Sequence, residues 1–154
     1  MEGNKKVIEI LNQRLAEELT AISQYIVHGE MCGNWGYTKL HELIEKNAVQ
    51  EMKHAEKIIE RILYLEGKPI VSKLNPMNIG NDVEAQLRSD YAAEKSAVKA
   101  YNESIQACVE ANDNGTRELF KSILLEEEGH VDWNEAQLDQ IKQMGIQNYL
   151  SLQV

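Results

Sequence analysis

Four glutamates and two histidines stand in two matched sets, Glu18 followed by Glu51-x-x-His54 and Glu94 followed by Glu127-x-x-His130. A constant offset of 76 residues relates the sets (94 − 18, 127 − 51, 130 − 54), and it also carries Tyr25 onto Tyr101 and Cys32 onto Cys108, as expected of a duplicated half-site. On a helix, residues three apart project to one side, so each E-x-x-H pair offers two donors to a single point. Four carboxylates and two imidazoles converging between four helices form the ligand set of a dinuclear non-haem metal centre. Oxygen-rich ligation with a nitrogen donor suits iron or manganese better than thiophilic metals. One E-x-x-H on a charged helix face is more often an accident of composition. Two at matched offsets, each preceded by a Glu at the same distance, reverse that balance. Glu18 also shares its helix face with Leu11, Leu15, Ile22 and Tyr25, and Glu94 shares its own with Leu87, Tyr91, Val98 and Tyr101. Buried carboxylates in such company are costly unless something pairs with them, and a metal does.

Four long helices are expected to carry these residues. Ile8, Leu11, Leu15, Leu19, Ile22 and Ile26 recur at helical spacing over residues 4–33, with a stop near Gly33. A second run from Thr38 to Leu65 is closed by Gly67 and Pro69. A third, from Asp82 to Ala111, has Asn81 or Asp82 as its cap. Asn112-Asp113-Asn114-Gly115 reads as a turn, a fourth run covers Thr116 to Met144, and Ile146–Leu152 can add a short fifth helix. Short turns make the first two and last two helices antiparallel hairpins. Residues 66–81 between them can reach up to about 50 Å when extended, against about 42 Å for a 28-residue helix, so a crossover along the whole bundle is expected. Cys32 and Cys108 then lie far apart and should not pair.

Composition narrows the partners. A net charge of −9 and a pI near 5.0 oppose nucleic acid and anionic membranes, both of which need a basic footprint. No stretch approaches the apolar length of a spanning helix, and MEGNKK lacks a leader-like apolar core, so a cytoplasmic location is the default expectation. With two cysteines and no CxxC, neither a disulfide framework nor a zinc ribbon is expected. The chain, residues 1–154, is read as a single domain, all-α.

From the first helix through EMKHAEKIIERILYLEG, IG-x-DVE-x-x-LRSD, EEEGH-x-DW and MGIQNYL, the sequence resembles the bacterioferritins over its full length. The resemblance implies a ferritin-like four-helix bundle with a long crossover between helices 2 and 3 and a short fifth helix, assembled into a hollow homo-oligomeric shell of roughly two dozen subunits. It implies a ferroxidase: two iron ions per subunit held by Glu18, Glu51, His54, Glu94, Glu127 and His130, with Glu51 and Glu127 bridging, oxidation of Fe(II) by dioxygen or hydrogen peroxide, and storage of ferric mineral. It further implies haem b shared between two subunits through Met52, and a small ferredoxin as reductant. Met52 is rotated about 100° from Glu51 and should look outward. With Ala48, Ala55 and Ile59, and with Ile22 and Ile26 of the first helix, it is expected to form an apolar outer stripe that a second subunit covers.

The chain departs from that pattern in places. Lys46 and Gln50 stand where many bacterioferritins have a histidine and an aspartate that bind an inner-surface iron, so that site is expected to be absent; Glu45 stands where an aromatic often lies near the haem. Tyr25 and Tyr101 either hydrogen-bond the ligand carboxylates or pack in the core. Trp35 and Trp133 are read as packing residues, Trp133 also as a possible electron source, and His28 and His41 as surface or interface residues. The rival functions are a rubrerythrin-like di-iron peroxidase, against which the missing CxxC module argues, and a non-enzymatic haem or metal electron-transfer assembly.

Overall fold

A computed structural model describes residues 1–154. Five helices follow one another: α1 (Lys5–Asn34), α2 (Thr38–Tyr64), α3 (Val83–Glu110), α4 (Asn114–Met144) and α5 (Ile146–Ser151), with no strand. This is the all-α, ferritin-like bundle expected, with the long connection between α2 and α3 and the short α5. The α1–α2 and α3–α4 hairpins supply most of the packing, and α1 against α3 and α2 against α4 join them.

The hairpin turns repeat as the ligands do. Gly36 adopts φ +87° and Asn112 φ +55°, positions 76 apart, and each turn is closed by matching backbone bonds, Tyr37 N–H to Cys32 O and Asp113 N–H to Cys108 O. Helix α4 starts earlier than the turn residues suggested. Asp113 accepts the Thr116 N–H, so Asn114 and Gly115 enter the first turn. Asp82, rather than Asn81, caps α3 through the Ala85 N–H. At the end of α2 the left-handed residue is Glu66, at φ +60°, and not Gly67. Gly67 is required for proximity instead, because a Cβ there would stand 2.7 Å from the Ile8 side chain.

Two apolar clusters fill the bundle ends. One gathers Leu11, Leu15, Ile58, Ile62, Tyr101, Cys108 and Phe120. The other gathers Tyr25, Cys32, Leu40, Ile44, Leu87, Ile141 and Tyr149 of α5. Both cysteines are free and buried in different clusters, as expected. Between the clusters lies a polar layer, and this layer is the site.

The α2–α3 connection is strapped lengthwise onto α1. Ile70 N–H donates to Asn12 Oδ1, Asn75 N–H to Thr20 Oγ1, Asn78 N–H to Gln24 Oε1 and Gly80 N–H to His28 Nε2. A segment without secondary structure thus satisfies its backbone groups on a polar column of α1. Here the reading of His28 as a surface residue is corrected. Its side chain is fully buried, its Nδ1–H donates to Asp90 Oδ1 at 3.0 Å, and Asp90 also accepts from Gln24.

Candidate metal centre

Each long helix contributes to the polar layer near its mid-length, between the two apolar clusters. Glu18 comes from α1, Glu51 and His54 from α2, Glu94 from α3, and Glu127 and His130 from α4; none is more than 5 % exposed. Their donor atoms fall into two overlapping groups, Glu18–Glu51–His54–Glu127 and Glu51–Glu94–Glu127–His130, each within 4.8 Å. Glu51 and Glu127 are common to both. His54 Nδ1 lies 2.9 Å from Glu127 and 3.5 Å from Glu18; His130 Nδ1 lies 2.8 Å from Glu51 and 3.3 Å from Glu94. The imidazole centroids are 6.5 Å apart.

Five of these atoms have no partner in good hydrogen-bond geometry. Glu18 Oε2, Glu51 Oε1, Glu127 Oε1 and both histidine Nδ1 atoms are buried with no hydrogen-bond partner. Native interiors rarely tolerate one such atom, let alone five facing one another. They fit a pair of divalent cations in both donor type and number. The outer nitrogens are engaged: His130 Nε2–H donates to Gln50 Oε1 at 2.5 Å, and His54 Nε2–H donates to Glu126. That orients the rings and turns each Nδ1 inward, where an ion can displace its proton.

Without metal, protons hold the cluster together. Burial, and then the Glu51 charge, push the Glu18 carboxyl well above its ordinary range. Glu94 is pushed up to about 8, first by burial and then by its hydrogen bond to Glu127. Burial opposes ionisation of Glu51 as well, yet hydrogen bonds from Glu18, His130 and His54 overcome it and hold Glu51 at about 2. For the imidazoles burial again works against charge, and the surrounding carboxylates win: His130 is pushed up to about 12 and His54 further in the same direction.

The two tyrosines resolve into one arrangement. Tyr25 O–H donates to Glu94, and Tyr101 O–H donates to Glu18 Oε1 at 2.5 Å, so each tyrosine reaches the carboxylate of the opposite half. Both are buried and also pack, Tyr101 edge-on to Phe120. Trp133 packs in the α5-side cluster, while Trp35 is partly exposed beside Tyr37. A cavity of about 220 Å³ approaches the carboxylates from between α1 and α3, with Glu17, Thr20 and Asn75 of the strap in its wall.

Met52 lies outside this layer, 44 % exposed, and Ile26 of α1 is exposed as well, whereas Ile22 and Ile59 are half-buried and pack against the core. The expected stripe is corrected at two positions. Ala48 and Ala55 are buried in the two core clusters, because they lie about 60° and 40° from Glu51 around α2, on its inward arc. Glu45 is exposed and turned to His41, 3.3 Å away, whose Nδ1 bonds Gly29 O. Lys46 and Gln50 border an open groove with Glu126. No helix is long and apolar enough to cross a membrane.

Comparison with known proteins agrees with the fold. The family model of the ferritin-like domain matches residues 8–144. A bacterioferritin of Rhodobacter capsulatus is 43 % identical over 152 residues, covering 99 % of this chain and 94 % of that protein. Bacterioferritins of Brucella melitensis and Mycolicibacterium paratuberculosis are 39 % and 38 % identical, each over 97 % of this chain and over 92 % and 94 % of their own lengths.

Proposed function

Since the chain belongs to the bacterioferritin family, we propose that it stores iron, taking Fe(II) as substrate at the buried carboxylate and histidine layer and keeping the ferric product inside a hollow shell of its own copies. The observation that carries this reading is the pair of overlapping donor groups with five buried, unpartnered donor atoms. Two Fe(II) held side by side supply two electrons, which match reduction of dioxygen to hydrogen peroxide, or of hydrogen peroxide to water.

The residues divide the work. Glu51 and Glu127 face both positions, so each can give one oxygen to either ion, while His54 and His130 each terminate one. Glu18 and Glu94 complete the sets, and four carboxylates balance the charge of two divalent ions. Tyr101 holds Glu18 Oε1 and leaves Oε2 facing His54, while Tyr25 holds Glu94 Oε1, the oxygen that faces His130, so each tyrosine fixes the orientation of one carboxylate. The α1–α3 cavity, walled by carboxylates, gives Fe(II) a cation-attracting approach. Aerobic addition of Fe(II) to metal-free protein tests the reading. About two Fe(II) per chain should oxidise much faster than in buffer, followed by slower mineral growth inside a shell-sized particle. Oxidation no faster than in buffer would remove the ferroxidase from the reading.

The same reading places haem b at Met52, shared with the Met52 of a second subunit. Its exposed thioether and the apolar surface of exposed Ile26 and half-buried Ile22 and Ile59 fit a flat apolar macrocycle and a covering copy of the chain. Met52→Leu should abolish the b-type visible spectrum of the purified protein and leave particle size unchanged by light scattering. An unaltered spectrum would exclude Met52 as the ligand. Reduction of the stored iron through that haem calls for an external electron donor, such as a small ferredoxin.

A further inference from the structure

On the α2–α4 side, the outer nitrogens of the two site histidines are joined by one chain of hydrogen bonds. His54 Nε2–H donates to Glu126 Oε2, Gln50 Nε2–H donates to the same oxygen at 3.0 Å, and Gln50 Oε1 accepts from His130 Nε2–H at 2.5 Å. Residues 50 and 126 are themselves 76 apart, as 54 and 130 are. Gln50 and Glu126 are thus counterparts in the two halves that meet each other, each capping the histidine of the other half.

The difference between these counterparts is what closes the chain. Two glutamates here would offer only acceptors and repel; Gln50 supplies an N–H to Glu126 and keeps its carbonyl for His130. Gln50 and Glu126 border the open groove on the α2–α4 side and stand between it and the two histidines, while the carboxylate-walled cavity lies on the α1–α3 side; neither histidine lines either opening. An ion leaving toward the groove must pass the imidazoles, and neither ring can swing aside without breaking its link.

We propose that Gln50 and Glu126 form a latch that holds both imidazoles with Nδ1 inward and retains the cations on the α2–α4 side, so that exchange runs through the α1–α3 cavity. They are positioning residues, and the proposal rests on the metal reading above. The probe is Co(II), loaded into the metal-free assembled protein, followed by its visible absorption, and withdrawn by excess EDTA. Gln50→Met matches the side chain in length but breaks the chain. It should bind the same amount of Co(II) and release it about tenfold faster. The exchanged pair Gln50→Glu with Glu126→Gln rebuilds the chain in mirror image and should restore release to within about twofold of the original. Equal release from Gln50→Met and the unaltered protein, or an exchanged pair as fast as Gln50→Met, would overturn the latch alone. Unaltered protein that takes up no Co(II) would overturn the metal reading and the latch with it.

Discussion

Glu18→Ala and, separately, Glu94→Ala should each slow the rapid phase of Fe(II) oxidation by on the order of a hundredfold or more, with the assembled particle retained. Even a residue that only supports a metal ligand costs about ten- to a hundredfold when removed, and on the proposed reading these carboxylates would contribute donor atoms directly. Each variant leaves one ion with a histidine and the two shared glutamates, and frees the hydroxyl of Tyr101 or Tyr25. Assembly should survive because the two apolar clusters on either side of the layer are untouched by these substitutions. Removing a buried carboxyl relieves its crowding against the others, which offsets the cost of the tyrosine hydroxyl left without an acceptor. Absorbance of the ferric product after rapid mixing, with light scattering on the same sample, makes the comparison. An unchanged rapid phase in both variants would exclude the buried layer as the site of oxidation.

Anaerobic loading of the metal-free protein with divalent metal should release protons near pH 7, because Glu94 and His130, with Glu18 and His54, are all held above their ordinary range and must give up protons to bind an ion. The apparent affinity should therefore climb steeply with pH. The stability of the metal-free protein should run the other way. Glu94 is raised from 4.5 to about 8, so its contribution is full below 4.5 and disappears as pH rises through 8. His130, raised from 6.5 to about 12, contributes fully below 6.5 and loses that contribution toward 12. Glu51 has the opposite sign, since its depressed value makes it stabilising above 4.5 and no longer so toward 2. Between pH 5 and 8 the raised groups decide. The gap in unfolding temperature between loaded and EDTA-treated protein should widen across that range. A gap independent of pH would mean that metal does not displace these protons.

The helix spans and the place of the long connection follow from apolar spacing and turn residues, which are local. The difference falls at a helix start, where a side-chain cap decides: Asp113 draws Asn114 and Gly115 into α4. The strap on α1 was invisible for a different reason. Asn12, Thr20, Gln24 and His28 are spaced in multiples of four, a detectable column, but a polar column beside a core stripe ordinarily faces water. Only the path of residues 66–81 makes it an interior surface.

The sequence by itself determined that this is a duplicated four-helix chain with a carboxylate and histidine set at mid-bundle, because equal offsets on helices of equal phase leave those side chains on equivalent faces. Tertiary structure alone decided which partner each residue meets. Periodicity gives the face of a helix, but contacts depend on which helices adjoin and on a side chain's flank, tens of degrees from the face centre. Hence Tyr25 reaches Glu94 and Tyr101 reaches Glu18, Ala48 and Ala55 turn inward while Met52 stays outside, and Gln50 and Glu126 close a chain across two histidines that lie 76 residues apart.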